Sequence, residues 1–505
     1  MRFHSIIFCS LLIPALAFGQ DSIPVLSRAG FSLSPSQKFL PYIWENPALA
    51  KNIRNFSLVD LNLNANVENN ENQIPQLGKE IRQGSFNTDA QLCLKNNDYI
   101  WGKAFYRNGK KENVQWNESA DFFRLYPYVA LDTIGGDLKY EQYYFQGGYS
   151  KDYGGFSWGI SADFKEGMEY RDKDPRPKNL TSDLSADLGA TWKCTINYLL
   201  AANVHLGKYK QENNVSFYSD LGSAPVYNAV GLGLLNNRFW SNQSQTYFTG
   251  SDYGISLTFL PDKSSGWSGN LQYNQSKLNK RITNPAKIDL NRTNTNTIQA
   301  DIARINKSIT KNSGFIVSLQ YQKRLGYESI VGDIIKGTYE ILGENQPYKS
   351  EYKKLSVKGL YEKNERISWS VQPEFSAGEM KAGYVSPHRL MKIAFWRPQL
   401  QTTLQNTFGK SLIVLNLNGA YQGLFNKKLE IDTQTSGQMM ENKQVLNNTY
   451  HSLTSKYTCI SLDVKYYYSR TENWGIYLQL KGEQRWYGQK LPNSNALFSA
   501  LGIIF

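Results

Sequence analysis

The sequence predicts an all-β protein: a closed antiparallel β-barrel that crosses a membrane with about 18 strands, within a range of about 14 to 18, its N-terminal segment folded into the lumen. Three observations carry this. A secretory signal opens the chain, no later segment is apolar enough to cross a membrane as a helix, and apolar and polar residues alternate with a period of two through segment after segment.

The signal is read first because it changes the rest. Arg2 supplies a positive start, Ile6 to Leu16 an apolar run, and Ala17-Phe18-Gly19 small residues at the −3 and −1 positions, so residues 1–19 are a signal peptide cleaved before Gln20. Cys9 follows Phe8 inside the apolar run, which does not fit a lipid-attachment site. The mature chain lacks any apolar run near the ~18 residues a membrane helix needs. Yet the full sequence holds 33 Tyr, 24 Phe and 11 Trp at a mean hydropathy of −0.50. Many aromatics in a polar chain suit a wall with lipid on one side, water on the other, and aromatic girdles where they meet.

The alternation gives the strands. From Val59 to Val67 (Val-Asp-Leu-Asn-Leu-Asn-Ala-Asn-Val) each odd residue is apolar and each even one polar. Phe156, Trp158, Ile160, Ala162 and Phe164 alternate with Ser157, Gly159, Ser161, Asp163 and Lys165, and Leu180, Leu184, Ala186, Leu188 and Trp192 do so with Thr181, Asp183, Ser185, Asp187 and Gly189. Successive strand side chains point to opposite faces, so each segment has one apolar and one polar face. The segments run about 10 to 15 residues, longer than strands of soluble sheets and long enough to span a bilayer when tilted. Tight links (Asp152-Tyr153-Gly154, Lys193-Cys194-Thr195, Asp262 to Gly266, Thr471-Glu472-Asn473) alternate with long ones (Gln211 to Gln245, Tyr327 to Ser350, Phe425 to Leu453), the rhythm of periplasmic turns and external loops.

The strands fall at 57–67, 85–96, 99–108, 137–150, 155–168, 179–192, 196–209, 250–260, 266–279, 294–306, 314–325, 352–363, 366–380, 389–405, 411–424, 454–470, 474–487 and 495–505, an even number that places both ends in the periplasm. Within 109–136, Phe122 to Leu131 is either a further strand or a folded-in loop. The barrel domain is 57–505. Residues 20–56 do not alternate; Phe31, Leu40, Tyr42, Ile43, Trp44 and Leu49 favour a plug inside the barrel over a free periplasmic tail.

At the far end, Leu497, Ser499, Leu501, Ile503 and Phe505 share one face. This resembles the C-terminal strand of Gram-negative outer-membrane proteins, which implies residence among outer-membrane lipids and recognition of Leu501, Ile503 and Phe505 by the barrel-assembly machinery. Asn46-Pro47-Ala48-Leu49 resembles the Asn-Pro-Ala start of FadL-like fatty-acid transporters, whose N-terminal segment folds inside the pore. The whole texture resembles outer-membrane barrels of Bacteroidota, some of which accompany TonB-dependent transporters. This chain carries no TonB box and only residues 20–56 before its first strand, so an energised transporter of that class is not expected.

Charge and chemistry narrow the function. The formal charge is +13, and loss of Arg2 with the signal leaves +12. Lys110-Lys111, Lys277 to Arg281, Lys353-Lys354 and Lys427-Lys428 suit either loops beside anionic lipid or a mouth that attracts anions. Nucleic acid is not an expected partner. Cys93, Cys194 and Cys459 are far apart and odd in number, so no disulfide framework or metal spacing is visible. His205, His388 and His451 match no hydrolase pattern, and neither a cofactor motif nor a catalytic set appears. Parity instead places Asp60, Asp163, Lys165, Asp187, His205, Asp301, Arg324, Glu374, Arg397, Asp463, Lys465, Lys481 and Glu483 on the wet face, to hold the wall or to select a solute; Asp463 with Lys465 and Lys481 with Glu483 are candidate pairs. Transport of a small solute is the leading expectation. A non-conducting barrel that docks on a surface lipoprotein or a TonB-dependent transporter through aromatic-rich loops (Phe217, Tyr218, Tyr227, Phe239, Trp240, Tyr247) stays open, and an outer-membrane enzyme ranks last.

Overall fold

The computed structural model describes residues 23–53, 55–219, 224–241, 244–262, 265–284, 286–432, 439–488 and 491–505. The signal peptide and the cleavage site before Gln20 lie outside the described residues. In chain order the strands are β1 Leu58–Asn69, β2 Glu80–Cys93, β3 Asp98–Val114, β4 Ala130–Leu131, β5 Gly136–Asp152, β6 Phe156–Tyr170, β7 Arg176–Lys193, β8 Tyr198–Ser216, β9 Val226–Gly231, β10 Leu234–Ser241 and β11 Ser244–Pro261. They continue with β12 Gly266–Ile282, β13 Ile288–Lys307, β14 Lys311–Ile335, β15 Thr338–Lys363, β16 Ile367–Tyr384, β17 Arg389–Phe408, β18 Ser411–Ile431, β19 Met439–Glu441, β20 Tyr457–Tyr468, β21 Gly475–Tyr487 and β22 Ser494–Ile504. The helices of four or more residues are α1 Val25–Leu33, α2 Tyr42–Glu45, α3 Ala50–Ile53, α4 Phe122–Leu125 and α5 Lys443–Leu453.

All strands but β4, β9, β10 and β19 form one 18-stranded antiparallel sheet. The sheet closes on itself, because β1 pairs with β2 on one side and, from Asp60↔Ile504 to Asn69↔Asn495, with β22 on the other. Phe505 extends the seam: its backbone N–H donates to the Val59 carbonyl at 2.9 Å and its carbonyl accepts from the Val59 N–H at 3.2 Å. Closure leaves no open edge, which is what lets a sheet live in lipid.

The outward positions explain the setting. Leu63, Ile160, Leu188, Leu257, Leu319, Leu417 and Leu478 stand exposed, Leu63 at 61%. Water would penalise such a belt by roughly 25 cal/mol per Å² of apolar surface; hydrocarbon does not. Further along the same outward rows Lys139, Lys208, Lys277 and Lys353 take over, which marks the edge of the apolar band. The chain is therefore a transmembrane barrel, with tight turns such as Tyr153-Gly154-Gly155 at one rim and the long connections at the other.

One sequence expectation needs correction here, and of the two readings of Phe122 to Leu131 the folded-in loop is the one that holds. Tyr327 to Ser350 is not a loop: β14 and β15 run through it to a turn at Lys336-Gly337. Above the bilayer both strand faces are wet, so alternation fades although pairing persists. Phe122 to Leu131 is no wall strand either. It belongs to the connection 115–135, which folds into the lumen and contributes α4 and β4.

Residues 23–53 and 55–57 lie across the lumen near the tight-turn rim. α1 buries Val25, Leu26 and Ala29 against Leu412, Val414, Tyr467, Tyr477 and Ile504, and Arg28 donates from Nη1 to the carbonyls of Ser57 at 2.5 Å and Phe505 at 3.4 Å. On the opposite wall Phe39, Leu40, Tyr42 and Leu49 pack with Leu199, Ala201, Ile305, Ile316 and Leu360; a fully buried side chain of this size contributes about 1.5–3 kcal/mol. Between these anchors the Asn46-Pro47-Ala48-Leu49 turn is capped by the Ala48 N–H donating to Asn46 Oδ1 at 2.9 Å, while Asn46 Nδ2 donates to the Ala202 carbonyl at 3.0 Å. The turn reaches the wall only because β6 and β7 offer glycine there. A Cβ on Gly159 would stand 2.5 Å from Pro47, and one on Gly189 2.0 Å from Asn46 Oδ1.

Candidate lumen site

At the long-connection rim, three connections converge inside the barrel mouth. They build a second sheet in the order β19-β10-β9-β4, and α5 packs beside it through Leu446. Beneath it, α4 and its flanks are clamped to the wall. Arg124 donates from Nη1 to Asp183 and from Nη2 to Asp252, each at 2.6 Å, and its guanidinium lies 4.0 Å from the Tyr209 ring centre. Asp121, which starts the helix at φ 48°, accepts from the Tyr209 hydroxyl at 3.0 Å; aspartate tolerates that left-handed backbone better than most residues. From below, Arg324 donates from Nη1 to the carbonyls of Phe123 at 2.9 Å and Tyr126 at 2.6 Å, and from Nε to Thr295 Oγ1 at 2.9 Å. Asn179 and Asn213 hold the Glu118 carbonyl at 3.0 and 2.6 Å.

The start of this connection rests on a buried ionic triad. Arg171 Nη1 donates to Glu118 Oε1 at 2.9 Å and lies 3.6 Å from Asp132, with all three side chains at most 3% exposed. Two carboxylates and one guanidinium leave an excess negative charge. Burial, reinforced by Asp132, pushes the Glu118 carboxyl well above its ordinary value, so a proton held on Glu118 balances the site.

Three cavities lie along this plug: one of about 390 Å³ flanks α4 between Asp121, Arg124, Lys165 and Glu169, and the other two are of opposite character. The lower one, about 570 Å³, lies between the N-terminal segment and α4 and is lined by Trp44, Glu45, Trp101, Lys103, Asp187, Asn203, His205, Asp252, Gln272, Asn274, Thr295 and Thr297. His205 Nδ1 and Asp187 Oδ1 are 3.0 Å apart, and Asn203 donates to the same oxygen at 3.0 Å. Glu45 sits on the floor, its carboxyl raised by burial and then by the nearby Asp301. The upper cavity, about 400 Å³, lies between α4, the inner sheet, α5 and the walls of β14–β17; Phe122, Phe123, Leu131, Leu235, Met391 and Leu446 line it, and Arg324 is at its edge. The Arg324–Thr295 bond joins the two.

Each residue assigned to the wet face stands on an inward position, but they do not form one set. Asp187 and His205 line the lower cavity and Arg324 the upper. Asp301, 1% exposed, accepts from Asn270 at 3.1 Å and from Gln299 at 3.1 Å. Asp163 accepts from Ser185, and Lys165 lies 3.9 Å from Asp121. Across the barrel, Asp60 accepts from Asn62 at 3.0 Å and Tyr477 at 2.8 Å, and Lys465 lies over the Tyr477 ring. Glu374 faces Lys358, Arg397 faces Ser376 and Lys481 faces Asp463 in register. The pairs Asp463–Lys465 and Lys481–Glu483 do not form: Asp463 accepts from Gln479 at 2.8 Å, and Arg485 reaches Glu483 at 2.6 Å. The longer fork of Arg485 spans two residues along β21 where a lysine opposite has another carboxylate to face. Outward, Leu501 and Ile503 stand exposed on β22. Arg124, Asp183, Asp252, Glu118, Asp132 and Arg171 escaped the sequence reading. Parity had Asp183 on the right face, but nothing local says that a distant loop arginine meets it.

A closed barrel with an apolar outer belt, a lumen segment below and an inner sheet above defines a plugged outer-membrane β-barrel. Within that class the chain belongs to DUF6850, a family of unknown function whose model matches residues 47–505. No curated protein matches it. Among solved structures, the ferric preacinetobactin receptor BauA of Acinetobacter baumannii is 9% identical over 88% of this chain and 80% of that one, with a TM-score of 0.38. The siderophore receptor PiuA of the same species is 8% identical over 89% and 82%, at 0.40, and the outer-membrane transporter YddB of Escherichia coli 7% identical over 89% and 81%, at 0.39. Likenesses this weak carry no part of the functional reading below.

Proposed function

We propose that this protein is a gated transport-type barrel for a small solute and not an open diffusion pore. The supporting observation is the lumen itself. A barrel of this size has room for an aqueous channel, but residues 23–53 and 55–57 cross it at one end and the 115–135 connection with the inner sheet crosses it at the other, leaving separate cavities in place of a continuous channel. Cavities of about 300–1,000 Å³ are the size that holds a small molecule. Export with cleavage before Gln20, and insertion by the barrel-assembly machinery through the strand ending at Phe505, complete this reading. The test is planar-bilayer recording of the mature chain. Wild type is expected to be silent or nearly so, and removal of residues 23–56 together with Arg124→Ala, which releases the mouth connection, to produce stepwise ohmic currents. A wild type that conducts steadily like a porin would overturn the gated reading.

A second reading has its own observation. The tip of the β14–β15 hairpin presents Ile330, Ile334, Ile335, Ile341 and Leu342, each 48–63% exposed, far above the apolar belt. Such a patch in water marks a docking surface, which favours a barrel that partners a surface lipoprotein or a TonB-dependent transporter. A barrel that stays silent after loss of residues 23–56 combined with Arg124→Ala, and releases a co-purifying surface protein when Ile335 and Leu342 become lysine, would favour this role.

A further inference from the structure

We propose that the upper cavity binds a compact amphipathic anion, a ring-bearing apolar body with a single carboxylate, and that Arg324 recognises its charge. The cavity walls supply the apolar half: Phe122, Phe123, Leu131, Leu235, Met391 and Leu446 surround about 400 Å³. Of the two charged residues along it, Glu351 stands on the outward face of β15, paired with Lys349 at 2.7 Å. Arg324 is the charge on the inward face.

Arg324 differs from the ion-paired arginines of the mouth, Arg124, Arg171 and Arg389. Arg124 has Asp183 and Asp252, Arg171 has Glu118, and Arg389 has Glu441 at 2.6 Å. Arg324 has only neutral acceptors, two carbonyls and the Thr295 hydroxyl. Among the described residues it forms no ion pair, and its Nη2 makes no hydrogen bond. A charge set into an apolar wall is costly unless compensated, and the planar guanidinium is suited to a carboxylate. The carbonyls of Phe123 and Tyr126 fix the guanidinium in place, so an incoming carboxylate meets a preorganised donor. Aromatic side chains on the same walls, Phe122, Phe123 and Tyr126, suit a ring over a bare chain.

The proposal rests on the solute-carrier reading only for what the ligand does there; binding is tested separately. The full mature chain in a non-ionic maltoside is titrated calorimetrically with naphthalene-2-carboxylate and with the neutral naphthalene-2-carboxamide. Wild type is expected to bind the acid at least tenfold more tightly than the amide. Arg324→Gln should lose at least tenfold on the acid and nothing on the amide, and Ala229→Trp, which fills the cavity, should abolish both. Heat-modifiable gel migration verifies folding of each variant. Acid binding unchanged by Arg324→Gln, or binding of both compounds unchanged by Ala229→Trp, overturns the site. If Arg324→Gln does not fold, wild type decides alone: equal affinity for acid and amide, or no binding of either, overturns it. The titration is blind to opening, so a barrel that binds but never conducts ends the carrier reading and leaves the site standing.

Discussion

The two cavities are built from the same strands yet differ in kind, and β8 shows how. Its inward residues run Leu199, Ala201, Asn203, His205, then Tyr209. Leu199 and Ala201 meet the N-terminal segment, Asn203 and His205 face the polar cavity, and Tyr209 packs under α4. Inward polarity therefore reports what fills each level of the lumen. Apolar inward residues mark levels where side chains pack against the wall, and polar ones either face a polar cavity, as Asn203 and His205 do, or hold the backbone of the mouth connection, as Asn213 does. Where the outer face is held apolar by lipid, the inner face carries the record of the plug.

That comparison predicts separable effects. Removing the mouth's buried counter-charge should do most: Arg171→Met leaves Glu118 and Asp132 without a cation, a loss of about 3–5 kcal/mol, read as early protease cleavage within 115–135 while residues 23–57 stay protected. Loss of both protections at once would mean that the two closures are not independent. Arg124→Ala removes two charge-assisted hydrogen bonds, about 1.5–3 kcal/mol each at most, and should join the cavities without unfolding the wall. At the lower end, Gly189→Leu drives a side chain into Asn46, where overpacking costs about 1–3 kcal/mol; protease should then cut within 23–57, and ligand binding in the upper cavity should persist.

The smallest effect is a pH dependence. Glu118 has a folded pKa above its unfolded value, so its contribution is fully present in acid and is lost as pH rises from the ordinary carboxylate range toward the raised value. Glu118→Gln keeps a donor for Asp132 and removes that titration. Its thermal midpoint should match wild type at acid pH and exceed it at alkaline pH; parallel curves would mean that the proton is not held on Glu118.

Much of the wall was legible because period-two alternation persists wherever one face meets lipid and the other does not. Each sequence-assigned segment overlaps a strand of the 18-stranded sheet, with Leu63 and Leu188 outward and Asp187 and His205 inward. The apolar content of residues 20–56, with Phe39 and Leu49 now 1% and 0% exposed, was legible for the same thermodynamic reason. Alternation disappears in two places. Above the bilayer both faces are wet, which hid the length of β14 and β15. Where a segment packs on the inner face, both faces are apolar, as in Leu199-Leu200-Ala201-Ala202, and that lapse was the available signal for the plug's contact. The clamp of Arg124 on Asp183 and Asp252 had no local signal, because its partners come together only through the fold.

If Arg124, through Asp183 and Asp252, holds the mouth connection closed over the lower cavity, a cysteine placed in that cavity will report it. Thr297→Cys lines that cavity, and with Cys93, Cys194 and Cys459 replaced by serine it can be labelled by a membrane-impermeant maleimide added to intact cells. The account predicts slow labelling in the otherwise native barrel and at least tenfold faster labelling once Arg124→Ala is added. Equally fast labelling in both would show that the lower cavity is already open to the outside, and would contradict it.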